Sequence, residues 1–165
     1  MIALETERLQ IRNWHTPEDD DAARSIFCDP EVMRFIPAGT FAPDVAPRVV
    51  QRMIERDTHD GFGVWPVVEK SSGALIGECG ITYIQESKDV EIAWLFSRAS
   101  WGNGYATEAA RVVLAYALGD VGLKAVYALL VPENRASIAV ANRLGMRFDR
   151  VVRAYKRDML RYVAT

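Results

Sequence analysis

The residues best suited to chemistry lie in two short segments and on one strand-like run. Trp101-Gly102-Asn103-Gly104-Tyr105-Ala106-Thr107-Glu108-Ala109-Ala110 joins a predicted strand over 90–96 to a predicted helix over 106–118. Two glycines one residue apart strip side-chain bulk from the backbone where it turns. The first N–H groups of the following helix lack intrahelical partners, and the helix dipole is positive there. Such a helix entry suits a phosphate group. The second segment, Val131-Pro132-Glu133-Asn134-Arg135-Ala136-Ser137, follows a strand-like run and opens a helix that ends at Leu144-Gly145-Met146.

Common phosphate-binding signatures fail on residues. A P-loop needs Lys-Ser or Lys-Thr after its last glycine, where this chain has Tyr105-Ala106. The dinucleotide fingerprint needs a third glycine where Thr107 stands. A turn used only for packing is the alternative for the ten residues taken alone.

Together the two segments resemble the GNAT superfamily of N-acetyltransferases, and more closely its RimJ/RimL-like branch. The first resembles that branch's W-G-x-G-Y-A-T-E-A motif. The second resembles P-E-N-x-x-S with a trailing L-G-M. Glu5-Thr6-Glu7-Arg8-Leu9-Gln10-Ile11-Arg12 resembles the branch's T-E-R-L-x-L-R opening strand. The likeness runs from about Thr6 to Tyr162.

The resemblance implies acetyl-CoA as cosubstrate. Backbone N–H groups of Gly102, Asn103, Gly104, Tyr105, Ala106 and Thr107 would cradle its pyrophosphate. Trp101 stands near the position where the superfamily usually has Arg or Gln, so it packs on either the cofactor or the core. The strand residues Trp94 to Ser97, including Phe96 and Ser97, would run beside the cofactor and offer an N–H to the oxyanion. Asn134 would hydrogen-bond pantetheine, or cap its helix, since Asn is a leading cap residue. One departure stands out. Many members place a Tyr four residues before the helix-ending glycine, and here that position is Ala141. Ser137 is the branch-like substitute, either protonating the thiolate or only binding the cofactor, with Tyr155 in reserve for the proton.

Acetyl transfer to an amine also needs a proton acceptor, because alkyl amines are mostly protonated near neutral pH. Glu91 is the first candidate: it alternates with Ala93 and Leu95 on one face of the 90–96 strand. Glu78, on the neighbouring strand, is the second. A surface or salt-bridge role is the plain alternative for either. His15 and His59 read as loop histidines. Two distant histidines without clustered acids or thiols argue against a metal site.

Composition bounds the reading. A chain of 165 residues suffices for one domain with a substantial core, here taken as a single domain over 1–165. Half the residues are hydrophobic and a quarter charged, as in a soluble globular protein. A formal net charge of −2 argues against a general nucleic-acid binder. No signal peptide is readable and no apolar run approaches the roughly 20 residues of a membrane span. Cys28 and Cys79 make no disulfide framework, so they read as core residues of a cytoplasmic protein.

The elements that must position these groups follow from periodicity. Leu9 and Ile11 alternate with polar neighbours, predicting a strand. Thr16 as cap and Pro17 at the first helical position predict a helix to about Phe27. A second helix over 44–57 precedes Gly61. Strands over 64–68 and 74–84, a polar turn over 85–89, and the strand over 90–96 form a meander. After the glycine turn come a helix, a strand over 125–131, the Asn134 helix, and strands near 148–152 and 159–163. This order is α/β, with a mixed central sheet of about six or seven strands flanked by about four helices, as in a GNAT-like fold.

The function expected is direct acetyl transfer from acetyl-CoA to a primary amine in a ternary complex. The acceptor would be a protein N-terminal α-amine or a small-molecule amine. The net charge slightly favours a cationic amine or peptide. No nucleic acid, membrane or metal is expected, and a homodimer is plausible by family habit. The alternative is a catalytically weak acyl-CoA-binding sensor or interaction module. Much of the acceptor pocket should come from residues 27–63, with Phe35, Phe41, Phe62 and Trp65 lining it or buried in the core.

Overall fold

The computed structural model describes residues 2–84 and 87–165; Gln85 and Glu86 of the polar turn lie outside the described residues. Eight strands and four α-helices are present among them. The strands are β1 (Ala3–Glu5), β2 (Leu9–Arg12), β3 (Val64–Glu69), β4 (Leu75–Tyr83), β5 (Val90–Phe96), β6 (Val126–Leu130), β7 (Arg147–Ala154) and β8 (Arg157–Ala164). The helices are α1 (Asp20–Phe27), α2 (Ala46–Asp60), α3 (Tyr105–Leu118) and α4 (Arg135–Arg143), with a short 3-10 turn at Arg98–Ser100. The sheet order is β1-β2-β3-β4-β5-β6-β8-β7. Every neighbouring pair is antiparallel except β5 and β6. The fold is α/β with a mixed sheet, one strand larger than the upper expectation.

Side chains of a strand alternate between faces, and β5 shows how the sheet divides its two cores. Val90, Ile92 and Phe96 join the cluster under α3, which contributes Ala109, Ala110, Val113, Leu114 and Ala117. Leu95 points the other way, into the cluster formed with Ala23, Ile26 and Phe27 of α1 and Ala46 and Val50 of α2. Glu91 shares the face of Leu95 through strand alternation, and Glu78 is paired directly opposite Leu95.

β4 is held close to its neighbour by Gly80. A Cβ there would stand 2.1 Å from the Gly63 carbonyl oxygen and 2.4 Å from the Val64 Cα, both backbone atoms. Neither can rotate away.

The front of the chain departs from expectation in three places. β1 is an additional edge strand, paired with β2. α1 starts at Asp20, beyond Pro17, and Thr16 does not cap it. The carboxylate of Asp19 instead forms a two-pronged pair with Arg12, at 2.8 Å for each contact, and accepts the His15 N–H. Burial alone would raise the Asp19 pKa; Arg12 and the His15 N–H outweigh it and hold the carboxyl below its ordinary range. His59 lies in the last turn of α2, not in a loop, and bonds Asp60. α2 closes at Gly61 in the left-handed conformation.

Gly80→Ala is expected to destabilise the fold by about 1–3 kcal/mol through backbone overpacking. Urea unfolding checks this; an unchanged midpoint would contradict the close approach of β3 and β4.

Candidate active site

β5 and β6 are in parallel register at Glu91 and Tyr127, and beyond that pair the two strands part. The gap opens a cleft of about 1910 Å³, lined by Ile92 to Phe96 on one side and Leu129 to Val131 on the other. That volume is about twice the roughly 1000 Å³ at the upper end of single-ligand pockets, so it accommodates two reactants. The cleft passes through the sheet: α3 and α4 wall one side, and α1, α2 and the segment 31–38 wall the other.

The glycine turn lies at the mouth on the α3 side. Gly102 and Gly104 both have left-handed backbone, φ 78° and 79°. Gly104 is the N-cap of α3, and no side chain caps that end. The Gly104 carbonyl accepts the Glu108 N–H, so the N–H groups of Tyr105, Ala106 and Thr107 precede the first intrahelical bond. Gly102, Gly104, Tyr105, Ala106 and Thr107 all line the cleft.

The turn is braced from behind. Arg8 grips Glu108 through Nε and a terminal nitrogen and also donates to the Asn103 carbonyl. Thr6 donates its hydroxyl to the same Glu108 carboxylate. The Arg8 guanidinium sits 4.5 Å from the Tyr105 ring centroid, while the Tyr105 phenol bonds Glu69. Burial would raise the Glu108 pKa; Thr6 and Arg8 overcome it and keep the carboxyl low.

Other expected contacts divide clearly. Trp101 is half exposed and donates its indole N–H to the Phe96 carbonyl, so it lines the cleft and is not core. Phe96 buries its side chain in the core cluster under α3. Ser97 gives its N–H to the Ile76 carbonyl and shares a hydroxyl bond with Ser100. Asn103 turns its amide to the Ser100 and Trp101 carbonyls. Ser97 and Asn103 are not among the cleft-lining residues. Asn134 is the N-cap of α4, its Oδ1 accepting the Ser137 N–H. Ser137 lines the cleft beside Trp94, whose indole donates to its hydroxyl at 3.3 Å. Phe35 and Phe41 line the cleft on its α1–α2 side, whereas Phe62 and Trp65 are buried in the core under α3.

The GNAT acetyltransferase domain family matches residues 8–147. The chain belongs to the GNAT acetyltransferases. It is 30% identical over 159 residues to an uncharacterized N-acetyltransferase p20 of Bacillus licheniformis, covering 95% of this chain and 89% of the relative. An acetyltransferase of Agrobacterium tumefaciens has a similar structure, with a TM-score of 0.88 and 26% identity over 100% of this chain and 95% of the other. The fold is also similar to that of the ribosomal-protein α-N-acetyltransferase RimL in complex with coenzyme A. That match has a TM-score of 0.82 and 12% identity, covering 99% and 97% of the two chains.

In this GNAT enzyme two acids of the sheet itself reach the cleft on the α1–α2 face. Glu91, at the point where the strands part, is buried and accepts a hydrogen bond from the Tyr155 phenol. Tyr155 and Lys156 form the β7–β8 turn with φ 51° and 63°, a two-residue left-handed turn without glycine. Non-glycine residues hold that conformation at a cost, and here it delivers the phenol to Glu91. Glu78 also lines the cleft, and its Oε2 is buried with no partner among the described residues. Burial pushes its pKa up to about 8. Cys79 faces the opposite way into the core, where burial raises its thiol pKa strongly. It is inert and away from the cleft. Among the described residues no cluster could hold a metal ion, and no helix is long and apolar enough to cross a membrane.

Sequence reasoning kept Tyr155 in reserve and gave no role to the side chains of Thr6 and Arg8, nor to the Trp94 indole beyond that residue's backbone beside the cofactor. Thr6 and Arg8 stood inside a quoted motif, and only the fold shows what they hold.

The raised pKa of Glu78 has a consequence for stability. Between about 4.5 and about 8 the folded chain holds a proton there that the unfolded chain releases. Stability from this group is full at the low end and is lost as pH rises towards about 8. Melting curves of wild type and Glu78→Gln should therefore diverge as pH is raised, with the variant gaining. Parallel pH profiles would contradict the buried, unpaired placement.

Proposed function

We propose that residues 1–165 form one N-acetyltransferase domain that transfers acetyl directly from acetyl-CoA to a primary amine. The observation that carries this is the uncapped N-terminus of α3, entered through two left-handed glycines and opening onto a cleft whose far face holds two buried glutamates. Anion site and acid floor lie on opposite sides of the gap between β5 and β6. Acetyl-CoA would supply a thioester carbonyl activated for attack.

The residues divide the work. N–H groups of Tyr105, Ala106 and Thr107 hold the pyrophosphate, with Gly102 and Gly104 keeping the approach open. Trp101 closes one side of that mouth. The Asn134 amide nitrogen bonds pantetheine, its Oδ1 being committed to the cap. The backbone along Trp94 to Phe96 steadies the developing oxyanion. Glu91, oriented by Tyr155, takes the proton that the acceptor ammonium must lose. Ser137 supplies a proton to the departing sulfur, its hydroxyl positioned by the Trp94 indole. Ala141 is fully buried in the core and its methyl has no proton to offer the sulfur. The acceptor is a protein N-terminal α-amine, as the RimJ/RimL-like resemblance implies, or a small-molecule amine, acted on in the cytoplasm.

Gly104→Glu should weaken CoA binding about 100-fold or more, because it adds backbone strain and like charge at the phosphate site. Calorimetry reads this; unchanged binding would refute the phosphate site. Glu91→Gln should lower turnover about 100-fold near neutral pH, with the loss shrinking at high pH where free amine is abundant. A thiol-release assay against pH tests it, and an unchanged profile removes Glu91 as base. Wild type that binds CoA yet turns over no member of a broad amine panel would favour the acyl-CoA sensor instead.

A further inference from the structure

The acceptor side of the cleft is charged in two layers. On α2 the lining residues are Val49, Arg52, Met53 and Arg56, spaced i, i+3, i+4 and i+7, which is one helix stripe. Val49 and Met53 pack on the core under α1. Arg52 and Arg56, one turn apart, are exposed at the cleft. Arg34 joins them from the segment 31–38, with its guanidinium 5.2 Å from the Phe35 ring centroid. No ion pair among the described residues uses Arg34, Arg52 or Arg56, whereas Arg8, Arg12 and Arg98 each hold a carboxylate. Glu31 is the one acid in that wall.

The floor differs: Glu91 sits where the strands part and supplies its negative charge, while Glu78, protonated in the folded chain at neutral pH, presents a buried oxygen with no partner among the described residues. A ligand must therefore place a donor or cation deep and an anion at the rim. A polyamine or a lysine-rich peptide would meet the three guanidiniums unfavourably. An amine with a carboxylate satisfies both layers, and guanidinium forks suit carboxylates.

We propose that the acceptor is an amine bearing a carboxylate, its amine seated at Glu78 and Glu91 and its carboxylate held by Arg52 and Arg56 with Arg34. This rests on the transferase reading above. It reverses the preference for a cationic acceptor that net charge alone suggested, because local charge at the cleft opposes the charge of the whole chain.

The test uses the full chain, acetyl-CoA and matched acceptor pairs. One pair is a free amino acid such as aspartate or glutamate against its α-amide. The other is a peptide with Asp in second place against the same peptide with Asn. The carboxylate member of at least one pair should show a kcat/KM about tenfold higher, the size of one charge-assisted hydrogen bond. Preference in the first pair assigns a small acceptor; preference in the second assigns a polypeptide N-terminus. The double variant Arg52→Gln/Arg56→Gln should raise KM for the preferred member about tenfold and erase the preference, with the Kd for CoA unmoved. Arg52→Lys/Arg56→Lys should retain much of the preference. Equal or reversed preference in both pairs overturns the proposal. So does a Gln variant that loses CoA affinity, since the arginines then serve the cofactor. Absence of turnover on every member while CoA binds also overturns it and leaves the transferase reading standing. Absence of CoA binding by the wild type overturns the transferase reading itself.

Discussion

The structure depends on one failure of strand pairing. β5 and β6 meet at Glu91 and Tyr127 and then diverge. Unpaired backbone inside a sheet is costly unless something else satisfies it. β6 is secured on its other edge by β8, paired from Val126 to Leu130, and β5 is secured along its length by β4. Each strand is therefore anchored from outside, and the gap between them persists as a cleft. Everything proposed for the site uses that gap: the anion site at one mouth, the acids at its vertex, and the acceptor wall on the far face.

Two motifs far apart in sequence act as one device. Thr6 and Arg8 precede β2, Glu108 lies in the first turn of α3, and the three bond together with the Asn103 carbonyl. As an exposed ion pair the contact contributes little stability, typically below about 1 kcal/mol. Its value is positional. It fixes the helix entry against the front edge of the sheet, so the N–H groups of Tyr105 to Thr107 face the cleft. Burial is arranged to the same end on the other face, where Leu95 seals the α1–α2 core and leaves Glu78 and Glu91 beside it.

Much of this was legible in the residues. The β5 bounds, the glycine entry to α3 and the α4 start follow from periodicity, left-handed glycines and an Asn cap, all of which are local signals. What was not legible is non-local. β1 is three residues long and gains its strand character only from β2. Asp19 looked like part of a helix start because Thr16-Pro17 carries that local pattern, yet Arg12 claims its carboxylate from β2. The Tyr155-Lys156 turn lacks glycine, so nothing marked it as the tight hairpin that sends a phenol to Glu91. Phe62 and Trp65 could be assigned to pocket or core only once the faces of the sheet were known. The rim arginines were silent for the same reason, since α2 reads as an ordinary amphipathic helix until its cleft-facing stripe is identified.

The most direct test of the central claim is an acetyl-CoA titration of the isotopically labelled full chain, following backbone amide resonances by NMR. The account predicts saturable shifts concentrated at Gly102 to Thr107, with companion shifts along Trp94 to Phe96 and at Asn134. Shifts confined to other surfaces, or none at saturating acetyl-CoA, would contradict the claim that the open end of α3 is the cofactor site.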